Sequence, residues 1–355
     1  MTMLADLVDA VIGGDTHRDT HTLEMTSPTG ATISVCTVAN TDAGFAEALS
    51  WIDDHAPGPR LIVGLEGTRS YGVGLARAAA AAGLMVVEVE RPRRAERRRG
   101  KSDPKDARLA ALSVLQMEPH KLPSPRADGD REALRILLSA RRDLTVARTA
   151  QINRLRALLL GGDEADRVLA KGRLSDQWLG HIARRRGRAD CTREQAIRLG
   201  EARRLAVAIR TAAAELVANK TQLQTLVNIL APQLLAKTGV GPVSAAQTLV
   251  TFSHPGRCRN DAAFAALAGA SPIQASSGRI KRHRLNRGGD RAMNRALHDI
   301  TLNRWRVCPR THAYIAKRRT EGKSDPEIRR ALKRYIAREL FKSLNQTTLA
   351  ALDNT

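Results

Sequence analysis

Two carboxylates stand three residues apart in Lys101-Ser102-Asp103-Pro104-Lys105-Asp106-Ala107. At the start of a helix that spacing lets both point at one spot. Two further acids close apolar runs upstream: Asp15 follows Ala10-Val11-Ile12-Gly13-Gly14, and Glu66 follows Leu61-Ile62-Val63-Gly64-Leu65. Both runs read as buried strands, so both acids emerge at strand ends. Taken singly, each acid is better read as a helix cap or a solvated group. Taken together, Asp15, Glu66, Asp103 and Asp106 are an oxygen-only donor set, which suits Mg²⁺ or Mn²⁺ and disfavours zinc. Two such ions can activate an attacking oxygen and stabilise a leaving oxygen at a phosphodiester. Without a cation or a nearby Arg the four acids would repel one another. A cationic ramp precedes them, with Arg93, Arg94, Arg97, Arg98, Arg99 and Lys101 as candidate nucleic-acid contacts.

Other residues compete for chemical roles. If the first strand stays extended, Asp15, His17, Asp19 and His21 share one face, a possible His/Asp site for a transition metal. The plainer reading is that His17 and His21 pair with phosphate or sit at the surface. Downstream, Ser276-Ser277-Gly278 lies in a loop rich in turn formers and runs into Arg279, Lys281, Arg282, Arg284 and Arg287. A hydroxyl there is a nucleophile only if a base, a metal or charge neutralisation activates it; otherwise it forms a turn. In Gly239-Val240-Gly241, glycines between two helices let backbone N–H groups approach a phosphate, although a ligand-free helical turn explains them equally.

The elements that position these residues follow in order. Residues 8–40 alternate apolar and polar positions and predict a three-strand meander. Thr41-Asp42 caps a helix, 60–66 is a strand, 70–82 an Ala-rich helix stopped at Gly83, and 84–89 a fifth strand. This order predicts an α/β unit over 1–128: a mixed sheet with helices on its faces, with binding chemistry at the carboxyl ends of parallel strands. Residues 129–230 carry helical apolar spacing through two long stretches, split at Gly161-Gly162, and predict a helical hairpin or coiled coil. Residues 231–355 predict a mostly helical domain with a helix-hairpin-helix element around Gly239 to Gly241.

Composition sets the partner. The 355 residues carry a net charge of +22, a strong pointer to a polyanion. No apolar run approaches the roughly 20 residues of a spanning helix. Four scattered cysteines without a CxxC pair fit a reducing, cytoplasmic setting. With aromatic content at 3%, phosphate contacts rather than base stacking should dominate binding.

At these residues the chain resembles a known family, the DEDD transposases of type-110 insertion sequences, also called bridge-RNA-guided serine recombinases. The resemblance rests on the Gly-Asp strand end at Asp15, on Glu66-Gly67-Thr68, and on Ser-Asp-x-x-Asp-Ala at 102–107. It continues through Gly-Val-Gly at 239–241, Gly269 with Pro272, Ser277-Gly278 and Arg-Gly-Gly-Asp-Arg at 287–291. It implies an RNase H/RuvC-like N-terminal domain whose metal-binding tetrad is Asp15, Glu66, Asp103 and Asp106, and a transposase domain whose nucleophile is Ser277. It implies a phosphoserine link to DNA, composite sites formed between subunits, a dimer that becomes a tetramer in the synaptic complex, association with the nucleoid, and a non-coding bridge RNA that selects donor and target. Relatives more often carry Gln before the nucleophile, so Ser276 stands as the alternative in this doubled serine. A RuvC-like metal-dependent endonuclease with no covalent intermediate is the competing enzyme reading, and a non-catalytic architectural protein the competing binding reading.

Overall fold

The computed structural model describes residues 3–89, 103–119, 122–126, 128–187, 189–274, 283–284, 286 and 288–352, with the side chains of 103–104, 274, 283–284 and 346–352 left out. The chain divides into two compact units. One comprises Met1–Glu132, Thr251–Ser271 and Ala337–Thr355; the other comprises Ala133–Val250 and Pro272–Ile336.

The first unit opens with β1 (Ala10–Thr16), β2 (Thr20–Thr26), β3 (Thr32–Ala39), α1 (Asp42–His55), β4 (Leu61–Leu65), α2 (Val73–Ala81), β5 (Met85–Glu88) and α3 (Asp103–Leu115). The sheet order is β3-β2-β1-β4-β5. β1 to β3 form the antiparallel meander, and β4 and β5 run parallel to β1. This is the mixed α/β sheet expected from the element order, and it is consistent with an RNase H-like fold. Thr41 caps α1 as its sequence predicts, its hydroxyl accepting from the Gly44 amide at 3.2 Å. Gly83 follows α2 at φ 82°, the left-handed turn that glycine takes without steric cost. The α2 helix starts at Val73 rather than at Ser70. The preceding residues are spent on a turn in which the Ser70 and Gly72 amides both donate to the Gly67 carbonyl, at 2.8 and 3.2 Å.

Core side chains divide by the two-residue alternation of the strands. Ile12, Leu23, Met25, Val63 and Leu65 pack with Phe45, Ala48 and Ile52 of α1 and Leu75 and Ala79 of α2. Val11, Ile62 and Val87 face the other way, onto Ala110, Ala111, Val114 and Leu115 of α3. Each large apolar side chain so buried contributes on the order of 2 kcal/mol. The alternating strand predicted at Thr22-Leu23-Glu24-Met25 is buried on both faces, because α3, from far along the chain, covers its polar side.

α4 (Gly129–Leu160) leads into the second unit, followed by α5 (Glu164–Lys171), α6 (Asp176–Arg184), α7 (Arg193–Leu230), α8 (Pro232–Leu235) and α9 (Pro242–Phe252). α4 and α7 run antiparallel. Leu155 and Leu159 share a core with Leu205 and Ile209, Arg141 Nη1 donates to the Leu216 carbonyl at 2.9 Å, and Asn219 Nδ2 donates to the Leu137 carbonyl at 2.9 Å. The reciprocal Thr192–Gln195 capping box starts α7. Ile197 and Ile229, read from spacing as part of the apolar stripe, are exposed. α10 (Asp261–Leu267) belongs to the first unit. Then come β6 (Ile273–Gln274), β7 (His283–Arg284), α11 (Arg291–Val307), α12 (Pro309–Thr320) and α13 (Asp325–Leu352), whose C-terminal half returns to the first unit. There Phe252, Phe264 and Phe341 pack ring on ring at 5.6 to 6.3 Å.

Candidate active site

The parallel register of β1 and β4 pairs Gly13 with Gly64 and Gly14 with Leu65. The next position in that register sets Asp15 beside Glu66. The Glu66 amide donates to the Gly14 carbonyl at 3.2 Å, and the Thr16 hydroxyl donates to the Glu66 carbonyl at 2.9 Å. Both acids therefore sit where the sequence places them, at the carboxyl ends of parallel strands.

Alternation sends Gly13 and Asp15, and likewise Gly64 and Glu66, to the α3 face. The two glycines let α3 lie directly on the sheet. A Cβ at Gly13 would stand 2.1 Å from the Ala107 carbonyl oxygen, and one at Gly64 would stand 2.5 Å from Val114 Cγ2. Asp106 precedes Ala107, so this contact delivers it to the face that carries Asp15 and Glu66. The three carboxylates are 6, 5 and 4% exposed, in the order Asp15, Glu66, Asp106. Asp103 begins α3 one turn earlier; its side chain lies outside the described atoms.

The donor set is hard oxygen throughout, which fits a Mg²⁺- or Mn²⁺-type ion. Among the described residues no group of three or more His, Cys, Asp or Glu side chains is close enough to hold a metal.

The transition-metal reading of Asp15, His17, Asp19 and His21 is overturned. It required an extended strand, but β1 ends at Thr16 and the chain turns before β2. His17 Nε2 lies 3.1 Å from Asp15 Oδ2, whereas Asp19 is exposed. His21 is fully buried, stacked on Phe45 at 5.9 Å, and donates to Asn40 Oδ1 at 3.0 Å. Burial is the main reason its pKa is lowered.

Sequence reasoning missed what fastens α3. Glu24 of β2 is paired in register with Gly13 and is 3% exposed. Its Oε1 accepts from the Thr32 hydroxyl at 2.7 Å and lies 3.5 Å from Nη1 of Arg108, two residues beyond Asp106. Arg108 Nη2 also donates to the Gly30 carbonyl at 3.0 Å. The pair ties the helix carrying Asp106 to the strands beside Asp15. An acid at an inward position of β2 was the available signal, but its partner is 84 residues away.

At the far edge, Glu88 closes β5 and accepts from Arg126 Nε at 2.7 Å and from the Arg126 amide at 3.1 Å. Burial alone would raise this carboxyl. Arg126, the Thr68 hydroxyl and Arg69 more than offset that and hold it below the usual carboxylate range.

The remaining candidates lie in the second unit or outside the described residues. Arg93, Arg94, Arg97, Arg98, Arg99 and Lys101 lie outside them, as do Ser276, Ser277, Arg279, Lys281, Arg282 and Arg287. β6 and β7 pair Ile273 with Arg284 and Gln274 with His283, and both serines fall between these two strands in the sequence. The Arg284 side chain is not described. Gly239 has φ 80° and packs on α11, where a Cβ would meet Arg304 Cγ at 3.0 Å; nothing lies within 4 Å of a Cβ at Gly241. Arg304 Nε donates to the Thr238 carbonyl at 2.8 Å, so the first glycine has a structural reason of its own. Among the described residues no helix is long and apolar enough to cross a membrane.

Comparison with curated proteins gives no match. Two family models do match. One, described as a transposase of the IS110 DEDD type, covers residues 12–162 and so includes all four acids. The other, described as the transposase IS116/IS110/IS902 family, covers residues 231–316 and so includes the Gly-Val-Gly turn and the serine loop. With the matched ranges in the order of the sheet and the hairpin, the chain belongs to the IS110-type DEDD transposases, enzymes of DNA transposition.

Proposed function

We propose that the protein cleaves and rejoins the DNA of an insertion sequence through a covalent serine intermediate. Asp15, Glu66, Asp103 and Asp106 hold one or more divalent cations, Mg²⁺ or Mn²⁺. A bound cation supplies neutralisation of the phosphate charge at the reacting strand. The chain's own carboxylates orient that charge from three elements: β1, β4 and α3. The Ser277 hydroxyl, or Ser276 in its place, attacks phosphorus. The serine Oγ–P bond forms, the P–O3′ bond breaks, and the proton ends on the departing 3′ hydroxyl. The product is a 5′-phosphoserine link whose energy is kept for rejoining. The observation that carries this reading is the β1/β4 register with α3 seated on Gly13, which brings three buried acids to one edge of the sheet.

The wider organisation follows the same reading. Residues 1–128 are the RNase H/RuvC-like metal-binding domain, 129–230 a coiled-coil arm supporting a dimer and a synaptic tetramer, and 231–355 the transposase domain with its helix-hairpin-helix. DNA is the substrate. A non-coding bridge RNA selects donor and target, and the protein works in the cytoplasm on the nucleoid. Gly241, the ramp from Arg93 to Lys101, and Arg279 to Arg287 supply phosphate contacts.

The test is a denaturing gel of protein incubated with a cognate DNA junction. A covalent protein–DNA band is expected, lost in Ser277→Ala with DNA binding kept. A band that survives in both Ser277→Ala and Ser276→Ala rejects the serine. Cleavage with no band at all favours a metal-dependent endonuclease acting with water.

A further inference from the structure

Aromatic residues are scarce in this chain, with three Trp, three Tyr and four Phe among 355 residues, yet three of them meet in α11 to α13. Trp305 of α11 and Tyr314 of α12 pack on Ile315, Ile328 and Leu332. The Tyr335 ring of α13 stands perpendicular to that of Tyr314, with centroids 5.8 Å apart and an interplanar angle of 81°. The guanidinium carbon of Arg318 lies 5.6 Å from the Tyr314 ring centre, and those of Arg319 and Arg329 lie 5.8 and 5.2 Å from that of Trp305. All of these residues belong to the second compact unit.

Two of the three rings have a packing reason. Trp305 and Tyr314 are half-buried, and the guanidinium contacts to Trp305 tie α12 and α13 to α11. Arg319 also pairs with Asp325 at 3.0 Å, and Arg318 pairs with Glu321. Tyr335 has no such reason, because it is 55% exposed. A tyrosine left in water gives up much of the free energy its ring could gain by burial. Tyr314 braces the ring on one side, so less side-chain freedom is left to lose when a partner covers the rest.

Charge and shape together select the partner. Residues 309–336 carry nine Lys or Arg against three Asp or Glu, a net +6, so the partner is anionic. An acidic protein surface would answer the charge and leave the ring without a flat partner. A DNA duplex would bring phosphates, but its base faces are already stacked on one another. A single strand brings both, phosphates for the cations and an open base face for the ring. Transposition supplies such a strand, because a cut strand leaves its old complement before it is joined to a new one.

We propose that Tyr335 is a stacking platform for one unpaired base of single-stranded DNA, with the cations of α12 and α13 holding the phosphates beside that base. The platform reads no sequence, since every base has a flat face. It keeps a displaced strand from pairing again before the new joint is made. It depends neither on the acidic edge nor on the serine.

Binding of the full-length protein to a labelled single-stranded DNA tests this, set against the same strand carrying abasic sugars, its duplex, and RNA of the same sequence. Tyr335→Ala is expected to weaken single-stranded DNA binding about tenfold, the usual weight of one stacked base, with duplex affinity unchanged. The slope of log affinity against log salt should stay that of the parent chain, because no phosphate contact is lost. Tyr335→Phe and Tyr335→Trp should bind as the parent does. Tyr335→Leu, which keeps apolar bulk without a flat face, should lose as much as alanine. The abasic strand should bind the parent more weakly and lose nothing further in Tyr335→Ala. A thermal melt confirms the folding of each variant. Unchanged single-strand affinity in folded Tyr335→Ala and Tyr335→Leu overturns the proposal. So does an equal loss on duplex, which would mark the ring as purely structural, and so does a loss confined to RNA.

Discussion

Gly13 and Ala107 touch so closely that a single methyl group on Gly13 would stand 2.1 Å from the Ala107 carbonyl oxygen and 2.4 Å from the Ala111 amide nitrogen. Backbone cannot give way there as a flexible side chain can. Gly13→Ala should therefore lift α3 from β1 and move Asp106 away from Asp15. The expected loss is about 1–3 kcal/mol of stability, the usual cost of overpacking, and a larger loss of strand transfer than of DNA binding. Thermal melts and a strand-transfer assay on the same preparation check both.

Arg108 and Glu24 should behave as positioning residues. Arg108→Ala removes the guanidinium beside buried Glu24 and leaves the Thr32 hydroxyl donating to it. Because Arg108 is 45% exposed, the expected stability loss is moderate, about 1–2 kcal/mol. Strand-transfer rate should fall, with DNA affinity unchanged and a raised divalent-cation requirement. Arg108→Lys should recover stability but not the bond to the Gly30 carbonyl. A rate that falls only in proportion to the unfolded fraction would mark the pair as purely structural.

His254 makes stability depend on pH in a definite direction. Its folded pKa is pushed to about 4 from an ordinary 6.5, first by burial and then by Arg257, Arg126 and Arg131. Between those values the unfolded chain binds the proton that the folded chain refuses, so stability falls as pH drops from about 6.5 to about 4. Glu88 adds to the same acid-side loss, because its depressed pKa stabilises the fold above the ordinary carboxylate range and fails as pH falls. Denaturant midpoints measured from pH 7 to pH 4 should decline less steeply in His254→Gln than in the parent chain.

Removal of divalent cations by EDTA should abolish strand transfer while DNA binding persists. Added Mg²⁺ or Mn²⁺ should restore activity, and Zn²⁺ should not, given an all-oxygen donor set. Restoration by Zn²⁺ alone would point away from the carboxylate edge.

The sequence showed some of this clearly and hid the rest for physical reasons. Asp15 and Glu66 were legible because each ends an apolar run, and strand polarity then fixes where they lie. Thr41 and Gly83 were legible because caps act within a few residues. The two-sided burial of β2 was hidden, since its cover comes from α3. The Glu24–Arg108 pair and the approach of His254 to Glu88 were hidden for the same reason: no local pattern encodes a partner 84 or more positions away. α5 and α6 are too short to show a helical period and stand only because Ala170, Leu179 and Ile182 seal the end of the α4/α7 pair. Nothing in Thr251–Ser271 announced that it packs within the first unit.

Manganese binding followed by electron paramagnetic resonance, on the full-length protein mixed with duplex DNA, addresses the acidic edge most directly. Asp15→Asn, Glu66→Gln and Asp106→Asn should each weaken Mn²⁺ binding by at least about tenfold, with folding and DNA affinity retained. Unchanged Mn²⁺ affinity in all three folded variants would contradict a metal site built by β1, β4 and α3.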